Sequence, residues 1–431
     1  MTGGRNFGGM KKWLWRIGLG VPASLVALYL FVMLRSVIPA TVPDQGLRLE
    51  RASIPAGSNA FDVLVEAADE LWWPDAQSRT LAELARDTNW DPSLTAKTLA
   101  YNRETLAAWD KAVTLPAMQV PEITTEDTAV PYLADWKRLA MLAGVRENAL
   151  LHNGEDQAAF DQMLNDLQLG RRMQNAHGAL IGYLVGVAVT GMTLDQLQHW
   201  AGKAHLEPGQ LKACIARMAP DPNGEAAAFA NAMKTEYQCD IGTLEALRQG
   251  KIADSESGGV YVRPRPWAPV YNYSQTRALF ARLTLALVAA APHHYIDANL
   301  PAQNTNPPNL VSLILSGNVA GRIFYDMMGP AVIPAFAKKS QADAQWQATR
   351  TILALRAYEL THGRLPADLN ALVPEFLEAV PTDDFDGHPL RYAPERKMVY
   401  SVGRNLKDDG GDDRRTGPSH QPLDLVYRFD F

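Results

Sequence analysis

Four aspartates lie close together near the end of the 431-residue chain, where their side chains could bind a metal ion. They surround the pair Gly410-Gly411 and are Asp408, Asp409, Asp412 and Asp413. A hard divalent cation would relieve the repulsion between these carboxylates, and calcium accepts about six to eight oxygen ligands in flexible geometry. Glycines let a chain wrap closely around such an ion. The spacing therefore predicts a structural calcium site.

Two further side chains could complete this site. Asn405 could add a carbonyl oxygen, and Asp424 could reach in from the last predicted strand. An EF-hand is excluded, because neither this loop nor Thr382–Gly387 has the required ligand spacing with a glutamate at the twelfth position. The alternative is a solvated acidic loop in which Asp and Gly only form turns.

A second candidate for chemistry is a carboxylate pair in the middle of the chain. Glu236 and Asp240 are four residues apart on the predicted helix Glu225–Gln249 and share one face. Such a pair could act as acid and base, although a solvated helix face is the alternative. The sequence contains no H-E-x-x-H, G-x-S-x-G, S-x-x-K or phosphate-loop motif. A hydrolase whose site matches no recognised motif is therefore a hypothesis.

Composition limits the class of protein. The chain is 47% hydrophobic and 20% charged, so it can build a substantial core. Its net charge of -6 argues against a nucleic-acid partner, which usually requires a basic patch. Cys214 and Cys239 could pair in an oxidising compartment or could be two small buried hydrophobes.

The N-terminal region predicts a membrane anchor at 13–38. Ile17–Leu34 carries no charge and is long enough, at about 18 residues, to cross the hydrocarbon core. Basic residues precede it (Arg5, Lys11, Lys12 and Arg16), which places a short tail, 1–12, in the cytoplasm and the bulk in a bacterial periplasm. A cleaved signal peptide is the alternative, but its apolar core is usually shorter. A second apolar run, Ala179–Met192, is expected to be a buried core helix.

Residues 45–335 are predicted to form a helical domain, so the fold class is mainly α. Periodicity and capping signals indicate its helices: Ser58–Trp73, Asp91–Val113, Tyr132–Leu151, Gln157–Asn175, Leu194–Gly202, Pro208–Met218, Glu225–Gln249, Gln275–Ala291 and Asn309–Met328. Proline-rich linkers separate them at Leu115–Pro131, Val262–Pro269 and Pro301–Pro308.

Residues 338–431 predict a small α+β module. A helix, Ser340–His362, would be capped by Ser340 and ended by Gly363. A short helix at Ala367–Val373, a turn at Pro381–Gly387 and three strands follow it. The strands are Leu390–Ala393, Met398–Val402 and Leu425–Phe431, the last with period-2 alternation.

This module resembles the soluble domain of the major pseudopilin of type II secretion. Three segments carry the resemblance, in order: ALRAYELTHGRLP, VPTDDFDGHPLRY and VYSVGRNLKDDGGDD. It covers roughly 95 of the 431 residues. It implies a long helix followed by antiparallel strands, with calcium bound at the Gly- and Asp-rich loop. The chain departs from the family at its N-terminus, which lacks the peptidase site, and at Phe385, where the family has tryptophan.

The first hypothesis is therefore a membrane-anchored envelope protein without enzymatic activity, which contacts inner-membrane lipid and binds an envelope protein partner or a ligand. The second is an accessory component of a type II secretion or pilus-like system. The third hypothesis is an envelope hydrolase with an unrecognised site.

Overall fold

The computed structural model describes residues 7–73, 79–249, 271–300, 309–417 and 420–431, with side chains of the first helix from Pro22 onward. Within these ranges the protein is mainly helical, and small antiparallel sheets lie near its C-terminal end. This confirms the predicted fold class at that level. The linkers Val262–Pro269 and Pro301–Pro308 lie outside the described residues.

The described ranges contain thirteen α-helices: α1 Phe7–Val37, α2 Ala60–Asp69, α3 Arg79–Ala85, α4 Pro92–Tyr101, α5 Arg103–Thr114, α6 Tyr132–His152, α7 Asp156–Gln174, α8 Leu180–Trp200, α9 Pro208–Arg217, α10 Pro222–Gln249, α11 Tyr273–Ala290, α12 Leu310–Leu315 and α13 Val319–His362. Two predicted caps are present, since Asn59 accepts a hydrogen bond from Phe61 N and Asp91 accepts one from Leu94 N. The helix predicted over Asp91–Val113 is wrong in one respect, because it breaks at Asn102. The amide of Asn102 instead bonds both backbone groups of Trp72.

Helix α8 is the apolar centre of the helical region. It is longer than the predicted helix Leu194–Gly202, because it includes the apolar run that begins at Ala179. By length and composition it could cross a membrane, but more than half of its most apolar part is buried inside the protein. It packs against α6, α7, α10 and α13, as a core helix does.

The predicted start of a helix at Ser340 is wrong. Instead of starting there, the helix runs unbroken from Val319, and Ser340 is a fully buried residue in its interior. The predicted helix Asn309–Met328 splits at Gly317 and its second half joins α13. The predicted end at Met328 lies just before Gly329-Pro330, but burial of Ala335 and Phe336 against α11 and α10 stabilises the helix beyond it.

Five short strands follow: β1 Arg391–Ala393, β2 Met398–Ser401, β3 Arg415–Thr416, β4 Gln421–Pro422 and β5 Leu425–Arg428. The first sheet has the order β1-β2-β5, with Tyr400 opposite both Arg391 and Val426. Strands β3 and β4 form a hairpin. The predicted short helix at Ala367–Val373 is a single 3-10 turn, Leu369–Leu372.

One hydrophobic core joins the sheet to the helices. It contains residues from α7, α8, α9, α13, β2 and the end of the chain, among them Phe160, Leu197, Ile215, Leu353, Val399 and Phe429. Helix α13 also passes through 335–338, the predicted boundary between the two domains. The C-terminal segment therefore shares its core with the helical region.

We predict that this shared core unfolds as one unit. Leu353→Ala removes a fully buried side chain of α13 and should lower the free energy of unfolding by about 2–5 kcal/mol. Leu360→Ala, on the same helix but 40% exposed, is the matched control and should cost less than about 1 kcal/mol. Urea unfolding of the full chain, followed by far-UV circular dichroism and by a fluorophore near β1, measures both. Two separate transitions would contradict a shared core.

Candidate functional site

The C-terminal end of α1 is held by side chains from the start of α11. Asn272 Nδ2 donates to the backbone oxygens of Ser36 and Ile38 at 2.8 and 2.9 Å, and Gln275 Nε2 donates to that of Arg35 at 3.0 Å. These oxygens belong to the last turn of α1 and the residue after it, where carbonyl groups lack helical partners. We call this group of contacts the anchor clamp.

Asn272 is itself fixed from two sides. Its Oδ1 accepts from Gln275 N at 3.0 Å and so caps α11. Its backbone N–H donates to Asn318 Oδ1 at 2.7 Å, just before α13, and Asn318 also bonds the buried hydroxyl of Thr276. Asn272, Thr276 and Asn318 are all buried. The anchor clamp is therefore part of the folded core.

The segment after α1 continues along α10 and α11. Asp44 forms an ion pair with Arg277 and accepts a hydrogen bond from the Tyr237 hydroxyl at 2.9 Å. Leu47 is 1% exposed and packs in a cluster with Phe280. The exit from α1 is therefore packed against the helical region.

The predicted acid–base pair has structural contacts. Glu236 Oε2 accepts from the backbone N–H of Leu180 at 2.8 Å, so it caps α8 from a neighbouring helix. Burial raises the pKa of Asp240 to about 9, and the charges of Glu236 and Glu126 add to this rise. Glu236 is engaged as a cap, and the hydrolase hypothesis stays a prediction that these contacts do not test.

A loop at 123–126 covers this part of α10. Glu126 N donates to Thr243 Oγ1 at 2.9 Å, and Cys239 Sγ donates to Ile123 O at 3.3 Å. A Cβ on Gly242 would lie 1.8 Å from Thr124 O, so the close approach requires glycine. Cys239 and Cys214 are free and buried in different clusters, as small hydrophobes.

We predict that Asp240 makes the protein less stable as pH rises. Its folded-state pKa of about 9 lies above the ordinary 3.8, so the folded protein keeps a proton that the unfolded chain releases. The free energy of unfolding should therefore fall between about pH 4 and pH 9, by up to about 1.4 kcal/mol per pH unit for this proton.

Asp240→Asn should flatten this slope in urea unfolding measured from pH 6 to 9. Asp413→Asn, at an exposed ion pair with Arg428, is the control and should keep the wild-type slope. Identical slopes for wild type and Asp240→Asn would contradict the assignment.

The four clustered aspartates point to different partners. Asp408 accepts from the Tyr400 hydroxyl at 3.2 Å and forms an ion pair with Arg391 at 3.8 Å. The other three also form ion pairs: Asp409 with Lys407, Asp412 with Arg414 and Asp413 with Arg428. Asn405 donates to Asp409. Their mutual repulsion is thus relieved by neighbouring cations and donors.

Asp424 occupies the centre of this loop. It is fully buried, and its carboxylate accepts from the N–H groups of Asp409, Gly411 and Asp412 at 3.4, 2.6 and 3.3 Å. Burial raises its pKa, and these three N–H groups oppose the rise. Gly410 and Gly411 adopt φ near +72° and +77°, which allows consecutive N–H groups to converge on an anion.

In this geometry the predicted calcium ligands do not converge on one position. Among the residues that the structure describes, no group of three or more acidic, His or Cys side chains is placed to hold a metal ion. Calcium binding would require Asp409 and Asp412 to leave Lys407 and Arg414. The calcium site at Asp408, Asp409, Asp412, Asp413, Asn405 and Asp424 therefore stays a prediction.

We predict that Asp424 is the residue on which the loop depends. Asp424→Ala leaves three N–H groups without their acceptor and should lower the free energy of unfolding by about 1–3 kcal/mol. Hydrogen exchange of the Gly411 amide should also accelerate. Asp413→Ala removes only an exposed ion pair and should cost less than about 1 kcal/mol. Equal effects of the two variants would contradict this role.

The same unfolding experiments with excess calcium and with a chelator test the calcium site. A calcium-dependent rise in stability that is lost in Asp408→Ala and Asp409→Ala would confirm it. Equal wild-type stability in both solutions would leave Asp424 and the ion pairs as what holds the loop.

The turn Pro381–Gly387 supplies contacts that sequence reasoning did not assign. Asp383 is fully buried and accepts from Ser401 Oγ and Val402 N at 2.8 and 2.9 Å, which fastens the turn to β2. Lys339 lies between Asp343 and Asp384 at 2.8 and 3.1 Å. Burial alone would lower the Lys339 pKa, but these carboxylates raise it to about 12. The turn is thereby tied to α13.

A cleft of about 300 Å³ between α3, α6 and α8 was not predicted from the sequence either. Asp195 lines it together with Arg86, Lys137 and His199. Burial raises the pKa of Asp195 to about 6, against an opposing hydrogen bond from Gln345. The residues come from three helices with no shared motif, so the sequence carried no signal for the cleft.

No protein-family model matches this chain, and neither a curated protein nor a solved structure is significantly similar to it.

Proposed function

We propose that the protein is a membrane-anchored scaffold or binding protein of the bacterial envelope, held in the inner membrane by α1 with its bulk on the periplasmic side. The observation that supports this most directly is the apolar surface of α1. Between Leu25 and Ile38, nine large apolar side chains are exposed: Leu25, Val26, Leu28, Tyr29, Leu30, Phe31, Leu34, Val37 and Ile38. A continuous surface of this kind fits lipid better than water.

The dimensions and charges of α1 support the same proposal. Its 31 residues correspond to a helix of about 46 Å, longer than the roughly 30 Å hydrocarbon core. Lys11, Lys12 and Arg16 lie in its N-terminal part, and basic residues favour the cytoplasmic side. The anchor clamp then lies on the periplasmic side, beside the helical region.

The second candidate is an accessory component of a type II secretion or pilus-like system. The observation that favours it is the order of the C-terminal elements. The long α13 ends at Gly363 and is followed by the antiparallel sheet β1-β2-β5, with the acidic loop between β2 and β5. This order agrees with the pseudopilin resemblance. A structural calcium ion at the loop belongs to the same proposal.

The anchor is tested by membrane extraction of the full chain. We expect the wild type to stay in the membrane fraction after alkaline carbonate treatment. Leu25→Arg combined with Leu28→Arg should release it, because each arginine within the membrane costs about 2.5–3.5 kcal/mol. Leu360→Arg, at an exposed apolar position far from α1 in sequence, is the matched control and should stay bound.

A C-terminal alkaline phosphatase fusion reports the orientation and should be active only outside the cytoplasm. Release of the wild type by carbonate would refute the anchor, and an inactive but intact fusion would refute the periplasmic orientation.

A further inference from the structure

A second apolar surface lies beside α1. It consists of exposed side chains from α12 and from the first turns of α13, which are 42–73% exposed: Leu310, Val311, Ile314, Ile323 and Met327. We call it the α12 surface. The chain from Asn309 to Gly321 contains no charged residue, so the α12 part carries none of the charges that usually solvate a helix. In the α13 part, Arg322 and Asp326 form an ion pair with each other.

The α12 surface is fixed next to α1 by close backbone contact. Helix α12 packs against α1. It ends at Leu315. Two residues later, Gly317 has φ of +69° and approaches the last turn of α1 so closely that a Cβ would lie 2.6 Å from Ser36 N and 2.8 Å from Arg35 C. The next residue, Asn318, belongs to the hydrogen-bond network of the anchor clamp. The position of α12 relative to the end of α1 is thus determined by the fold.

We propose that the α12 surface inserts into the periplasmic boundary between lipid headgroups and acyl chains, next to the anchor. This inference rests on the proposed membrane anchor, because α12 reaches lipid only if α1 spans the bilayer. Its support is continuity: the α12 surface adjoins the exposed apolar side chains of α1 at the end where α1 would leave the membrane. Helices that lie at this boundary bury their apolar face roughly 5–10 Å into it.

Insertion has a structural consequence. A single anchor helix lets the attached protein rotate and tilt relative to the membrane. A second contact beside it restricts the tilt, and the helices joined to the anchor clamp, α11 and α13, then adopt a defined direction from the membrane surface.

The test uses spin labels on the full chain in phospholipid nanodiscs. Single cysteines replace Val311, Met327, Leu30 and Tyr101 in four separate variants. Cys214 and Cys239 are 1% exposed, and the unmutated protein measures any background labelling. Accessibility is compared for molecular oxygen, which concentrates in lipid, and for a water-soluble nickel chelate. Leu30 reports α1, and Tyr101 is a 62% exposed apolar position on α4.

We expect the labels at positions 311 and 327 to resemble that at 30, with oxygen accessibility several-fold higher relative to the chelate than at 101. Labels at 311 and 327 that resemble 101, while 30 lies in lipid, would overturn the inference and leave the anchor intact. A label at 30 that also resembles 101 would overturn the anchor itself. Exclusion of both reagents at 311 and 327 would show that protein covers the surface and would likewise overturn the inference.

Discussion

The contacts of Asn272 join the apolar helix α1 to the helical region. One amide group satisfies carbonyl oxygens at the end of an apolar helix, and the same residue caps α11 and bonds Asn318 before α13. Unpaired carbonyls at a helix end buried by protein are costly. Removing this one side chain would therefore affect two helix termini, the end of α1 and the start of α11, which makes it the constraint from which the position of α1 follows.

Buried charges organise the C-terminal region in a comparable way. Asp383 fastens the turn to β2, Asp424 gathers the amides of the acidic loop, and Lys339 connects the turn to α13. A buried charge without partners destabilises a fold strongly, so such groups permit few alternative arrangements. The short strands contribute little alone, since three strands of three or four residues need packing against a helix to be stable.

Capping and stop signals in the sequence predicted helix ends correctly where the structure depends only on residues close along the chain. Asn59 and Asp91 cap helices within three residues, and Gly363 ends α13 with φ of +72°. The prediction failed at Ser340 and at the helix end expected at Met328, because a local signal is overridden when the segment is buried. The sequence placed Asp424 at the loop, but the bonds that Glu236 and Asp424 accept from backbone N–H groups could not be predicted. Their partners, Leu180 and the loop amides, are distant in sequence or are backbone groups, which leave no trace in residue type.

The acidic loop shows why composition alone overestimates a metal site. Four aspartates in six residues carry a charge that must be compensated, and calcium is one way to do so. Lys407, Arg414 and Arg428 compensate three of them here, and the fourth contacts the Tyr400 hydroxyl and Arg391. These pairs are exposed and individually weak, so they could give way to an ion. Asp424 differs because it is buried, and it closes the loop with backbone amides whether or not an ion binds.

Helix α13 connects the contacts at the end of α1 with the sheet near the C-terminal end. It starts next to the anchor clamp, packs against α11 through Phe336, and ends under the sheet formed by β1, β2 and β5. Its 44 residues would extend about 66 Å if straight. A helix that is packed at both ends fixes the relative orientation of the parts that it joins, whereas a flexible linker connects two parts without fixing their orientation. If α1 lies in a membrane, this fold therefore holds the C-terminal sheet and its acidic loop at a set distance and direction from the lipid surface, as a scaffold requires.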